Sequence, residues 1–190
     1  MRYRHAINLF DAQEYAKAFV LFDIVTPSQI ERSQIDEYLF KKAYCELENG
    51  DVDRALLRFI ELERRPVSDY TAPAKYTIAY INYEKKNFYD ALGWFEKAAL
   101  DSRFTQVANY YIMECRFMLE DYEYVTKYGE QMYQAVPEDR KPHLARIISE
   151  SWLVLGNATE ARKYYDLTAK ANGEPKTRTD WFYSGSVLYA

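Results

Sequence analysis

Histidine and cysteine are scarce in this chain of 190 residues, two of each, and the six glycines are scattered rather than grouped. That scarcity removes most catalytic and metal chemistries from consideration. His5 and His143 belong to no H-E-x-x-H or similar metal pattern, and each is read as a surface or seam residue. No G-x-S-x-G elbow, phosphate-cradling glycine loop or Cys-x2-Cys pair occurs, so no enzyme is read and no cofactor or metal is expected. No run of 18 apolar residues exists, and the opening Met1-Arg2-Tyr3-Arg4-His5 lacks the apolar run of a signal peptide, so no membrane insertion is expected. Excess positive charge is also missing. A formal net charge of -4 disfavours nucleic acid, whose phosphates are held by clustered Lys and Arg. Acidic runs such as Asp121 and Glu123 read as solvated helix faces.

What is abundant is tyrosine, 19 residues in a chain that is 17% aromatic. Its apolar ring and polar tip suit both the seam between packed helices and a wet recognition surface. A second abundance is order. Small residues recur at Ala6, Ala43, Ala79, Met113, Ser149 and Gly185, at intervals of 37, 36, 34, 36 and 36. Ala18, Ala55, Ala91, Val125 and Ala161 keep the same step, as do Phe22, Phe59, Phe95, Gly129 and Tyr165. Three columns in one register are an internal repeat.

Each period divides into two helical runs. In the second, Leu39, Ala43 and Leu47 step by four, Gly50-Asp51 interrupts, and Val52, Ala55, Leu56, Phe59, Ile60 and Leu62 resume the pattern. Corresponding breaks fall at Lys86-Asn87 and Gly156-Asn157. Pro27, Pro66, Pro137 and Pro175 each follow a second helix, where a residue without an N–H ends the ladder. Ser33 with Asp36, Asn157 with Glu160, and Thr177 with Asp180 have capping-box spacing. No segment reads as a strand. The expected fold is all-α: a right-handed α-solenoid of stacked antiparallel helix pairs, about five repeats plus one terminal helix, in a single domain over residues 1–190. The units fall at approximately 1–32, 33–69, 70–103, 104–139 and 140–176, with a partial unit at 177–190. Cys45 and Cys115 would then lie two units apart, on the order of 20 Å given helix spacings of roughly 8–10 Å. That exceeds the ~7 Å Cα limit for a disulfide, so two free thiols are expected and the redox compartment stays open.

The columns resemble the tetratricopeptide repeat (TPR), a helix–turn–helix with small and aromatic signature sites. Second helices carry Tyr15-x2-Ala18-x3-Phe22-x2-Val25, Val52-x2-Ala55-x3-Phe59-x2-Leu62 and Phe88-x2-Ala91-x3-Phe95-x2-Ala98, and the last segment carries Trp181, Gly185, Leu188 and Tyr189. The period departs from the family's 34 residues, and Met113, Val125 and Gly129 depart from its small and aromatic types, so a local change of packing is expected in the fourth unit. Tyr76 to Phe95 and Tyr110 to Gly129 also resemble the long TPR proteins of bacterial cell envelopes. That resemblance implies a periplasmic or envelope-associated setting, with a cytoplasmic one as the alternative.

The resemblance further implies a concave groove lined by first helices. One turn before each small site stand Phe40, Tyr76, Tyr110, Arg146 and Phe182, and just after it Tyr44, Tyr80, Glu114, Glu150 and Ser186. The expected function is a noncatalytic scaffold that binds an extended peptide or helix of a protein partner. Phe40, Tyr44, Tyr76, Tyr80 and Tyr110 would form a stacking surface, with Glu114, Arg146 and Glu150 as its charged end. The competing reading of these rings is packing between neighbouring first helices. The TPR proteins that clamp a chaperone's terminal carboxylate use Lys and Asn, a role closed to Phe40, Tyr44, Tyr76 and Tyr80. Two alternatives differ in kind: self-association into a homo-oligomer through the apolar terminal helix, and glycan or small-molecule binding in the tyrosine-rich groove. Because the last unit has one helix only, the chain is expected to be part of a longer repeat protein.

Overall fold

The computed structural model of the chain describes residues 2–172. Ten α-helices run in succession among the described residues: α1 (Arg2–Asp11), α2 (Tyr15–Ile24), α3 (Ile35–Glu48), α4 (Val52–Glu63), α5 (Thr71–Glu84), α6 (Phe88–Ala98), α7 (Thr105–Met118), α8 (Tyr122–Ala135), α9 (Lys141–Val154) and α10 (Ala158–Asn172). Short 3-10 turns, Pro27–Gln29 and Arg32–Gln34, connect α2 to α3. No strand occurs among the described residues. Backbone proximity groups the helices into two compact units, α1 to α5 up to Lys86 and α6 to α10 from Asn87 onward. The terminal helix expected at 177–190, with Gly185 and the Thr177 cap, lies outside the described residues.

One turn design repeats along the chain. Three residues join the helices of a pair, and the middle one has a left-handed backbone: Gln13 (φ 60°), Gly50 (85°), Lys86 (60°), Glu120 (62°) and Gly156 (79°). Those positions keep the 37, 36, 34, 36 step of the core columns. Each of these residues donates its N–H three residues back, as Gly50 does to the Leu47 carbonyl (3.0 Å). Glu14, Asp51, Asp121 and Asn157, each next in the chain, donate five back, as Asp51 does to Glu46 (2.9 Å) and Asn157 to Trp152 (2.9 Å). This paired pattern satisfies the last carbonyls of the first helix. The same residue then opens the second helix: Asp51 accepts from the Arg54 N–H, Asp121 from Tyr124 and Asn157 from Glu160. At Gly50, Glu120 and Gly156 a three-residue connection so closed on both sides leaves the second helix no course except back along the first.

The columns are the core. Ala6, Ala43 and Ala79 of first helices, and Ala18, Ala55, Ala91 and Ala161 of second helices, are wholly buried, as are Phe22, Phe59 and Phe95. Within the first unit each helix packs on the next, and α1 also meets α3; in the second unit α7 similarly meets α9. A buried ring in such a seam contributes on the order of 3 kcal/mol relative to exposure. The expected irregularity of the fourth pair has a cause. A Cβ on Gly129 would stand 2.9 Å from Cγ1 of the buried Ile148, so the α9 isoleucine fills the volume that an aromatic takes elsewhere. Ser149, in the small column, donates to the Ala161 carbonyl at 2.7 Å, which settles a buried hydroxyl.

One expected cap is corrected. Ser33 lies inside the 3-10 turn Arg32–Gln34, and Gln34 is the N-cap of α3 with no side-chain cap bond. The preceding turn shifts the helix start, leaving Ser33 one position too early.

Candidate functional site: the faces of the first helices

In the first unit, α3 and α5 carry Phe40, Tyr44, Tyr76 and Tyr80. Phe40 is half-buried, 5.6 Å from the Phe59 ring of α4 and 5.5 Å from Tyr70. Tyr44 packs edge-on to Phe10 of α1 (5.6 Å) and against Tyr15 of α2 (5.2 Å). Both rings therefore work in a seam while showing an edge to solvent. Tyr76 is half-buried. Tyr80 is 37% exposed and stacks with Tyr83 at 6.4 Å.

A charged cluster absent from the sequence reading lies within the same unit. Glu46 of α3 has no exposed surface, and Arg58 of α4 donates to both its oxygens at 2.9 and 2.8 Å. Lys42, also buried, donates to the Phe22 carbonyl near the end of α2 (3.1 Å) and to the Tyr38 hydroxyl (3.4 Å). Burial, with the Arg58 charge adding to it, lowers the Lys42 pKa from its ordinary value. The signal was the helix pattern: Lys42 and Glu46 stand four apart, on a helix whose other buried residues are mostly apolar.

The second unit places Tyr110, Glu114, Arg146 and Glu150 in one network on α7 and α9. Tyr110 is only 6% exposed, and its hydroxyl lies 3.0 Å from Nδ1 of His143. The same nitrogen is 3.1 Å from the Glu114 carboxylate. Arg146 reaches Nε2 of His143 at 3.2 Å and donates to Glu150 at 2.8 Å. Glu114 and Glu150 are 6% and 5% exposed, so both carboxylates are inside and the cation edge is outside. Arg140, just before α9, lays its guanidinium 4.4 Å from the Tyr110 ring centroid. Burial, reinforced by the hydrogen bond to Glu114, pushes the Tyr110 pKa well above the usual phenol value. Neither Arg140 nor His143 was among the binding residues read from sequence. The spacing Arg140, His143, Arg146 was the available sign, three-residue steps that lay the three on one side of a helix start. Phe182 and Ser186 lie outside the described residues.

Among the described residues, no helix is long and apolar enough to cross a membrane, and no three His, Cys, Asp or Glu side chains gather as metal ligands. Cys45 and Cys115 are buried free thiols.

No family model and no curated protein matches the sequence. Solved structures do. MamA AMB-1 in its P212121 crystal form superposes with a TM-score of 0.76 at 11% identity, over 95% of this chain and 94% of that one. Its C2221 form gives 0.73 at 11% identity, over 90% and 96%. The superpositions span five helix pairs whose buried columns and turns share one register. The chain has a TPR-type fold. TTC0263, a thermophilic TPR protein in Thermus thermophilus, aligns over 98% of this chain and 97% of that one at 19% identity, with a TM-score of 0.47, too loose to weigh. The resemblance read from the small and aromatic columns of this chain thus extends to its backbone.

Proposed function

We propose that the chain is a noncatalytic protein-interaction scaffold whose first helices carry the binding face. The observation that supports this most is Tyr80. It is a large ring exposed on a first helix, in the register that seats Tyr44 in a seam, and rigid aromatic anchors of this kind dominate binding energies elsewhere. The TPR-type fold supports the same reading, because helix pairs stacked by local contacts supply a preformed surface. On this reading Phe40, Tyr44, Tyr76 and Tyr80 offer ring edges to an extended peptide or a helix, while Tyr110, Glu114, Arg146 and Glu150 form a polar stretch in the second unit. Rings already packed against neighbours lose little side-chain entropy on binding, which favours affinity.

The test is affinity capture from native cells, with the intact chain as bait and Tyr80→Ala beside it. Partners should be lost from the variant while its circular dichroism and melting temperature stay close to those of the parent. Retention of every partner by Tyr80→Ala would refute the assignment of the face. Self-association through the terminal helix rests on residues 177–190, outside the described residues, and no observation favours it or the glycan reading over peptide binding.

A further inference from the structure

Arg140, His143 and Arg146 succeed one another at three-residue steps over the start of α9, so their side chains share one side of the helix and span roughly 9 Å of its axis. Their charges are used unequally. Arg146 is committed to Glu150 at 2.8 Å. His143 turns Nδ1 to Glu114 and Tyr110 and Nε2 to Arg146. Arg140 has no carboxylate partner among the described residues. Its guanidinium is held by aromatic faces instead, 4.4 Å from the Tyr110 centroid and 5.5 Å from Tyr111. Four charges thus sit in two layers: Glu114 and Glu150 buried, Arg140 and Arg146 above them. An incoming group meets the cations first, and one of them is fixed in position yet not neutralised.

We infer that this row is a docking site for an acidic segment of a partner protein, with one Asp or Glu side chain on Arg140 and a second at the Arg146 end. The inference deepens the first-helix reading by naming the partner's chemistry, and it rests on that reading. A polyproline-II chain advances about 3.1 Å per residue with three residues per turn, so acids three residues apart lie on one side and match the ~9 Å span. The site asks for side-chain carboxylates, and a free chain terminus is not required. A polyphosphate is the poorer match, because it is held by many clustered cations along its length, whereas this row offers two arginines, one of them already committed to Glu150.

Fluorescence anisotropy with the whole chain tests this. The probe is a labelled, C-terminally amidated peptide of four Glu-Ser-Gly repeats, and the control replaces each Glu by Gln. The acidic probe should bind and the Gln control should bind at least about tenfold more weakly, as expected for charge-assisted hydrogen bonds. Arg140→Gln should weaken the acidic probe by about tenfold. Because Arg140 neutralises no buried carboxylate, that variant should melt with the parent, which Arg146→Gln, removing the bond to buried Glu150, need not do. Equal binding of the two peptides, no binding of either, or unchanged affinity in Arg140→Gln would overturn the inference. So would a single-stranded oligonucleotide that outcompetes the acidic probe. If Tyr80→Ala loses its captured partners while the acidic probe fails, only the acidic assignment falls. If the probe binds through Arg140 while Tyr80→Ala keeps every partner, the aromatic face falls instead.

Discussion

Cys45 and Cys115 are thiols in apolar surroundings, and burial raises the pKa of each to about 12. The nucleophile is the thiolate, so both should resist an aqueous disulfide reagent in the native protein at neutral pH and react, two per chain, once denatured. Glu46 presents the opposite case, a buried carboxylate held by its partners. With Arg58 donating to both oxygens and Lys42 buried nearby, Glu46→Ala strands cations in a dry seam and should cost about 3 kcal/mol or more in urea unfolding. Glu120 carries a milder burden. Its left-handed backbone, φ 62°, suits glycine, so Glu120→Gly should raise stability by roughly 0.5–1 kcal/mol, read as a higher melting temperature. Gly50→Ala, at φ 85°, should lower it by a similar amount.

Among the elements, the helix pairs were legible because their columns obey one period, and the described residues in those columns are buried, half-buried Tyr165 apart. Three of the turns were legible, at Gly50-Asp51, Lys86-Asn87 and Gly156-Asn157, two of them through a glycine. At Gln13, Lys86 and Glu120 the same backbone is held by residues with no intrinsic preference for it, and the hydrogen-bonded turn imposes it. Gly129 shows the limit of the columns. A gap in the aromatic column says that something else fills the space, but only the packing identifies it as Ile148 of α9. Gly129→Phe, which would restore the repeat, should therefore destabilise by about 1–3 kcal/mol, and adding Ile148→Ala should recover part of the loss. The proposed binding face was readable in register and not in depth. Tyr76 and Tyr110 hold the same place before their small residues, yet Tyr110 is buried under His143 and Arg140, side chains of a helix distant in sequence. Exposure depends on such neighbours, so the sequence could rank positions on the helix but not separate Tyr80 as the exposed ring.

At the scale of the whole molecule, the tyrosines make folding sensitive to alkali. Burial raises the pKa of Tyr3, Tyr38, Tyr110 and Tyr164 above the phenol value of 10.0. Below that value these groups are neutral in both folded and unfolded chains, and they impose no pH dependence. Above it the unfolded chain loses protons that the folded chain retains, so stability should fall as pH rises through 10 and beyond, seen as tyrosinate absorbance appearing together with loss of helix. The function proposed for the molecule is binding, and its most direct test is where a partner lands. With a captured partner in excess, hydrogen exchange should slow in the first helices, in α3 and α5 around Tyr44 and Tyr80 and in α9 around Arg146. Protection confined to the second helices α2, α4, α6, α8 and α10 would contradict the assignment of the binding face.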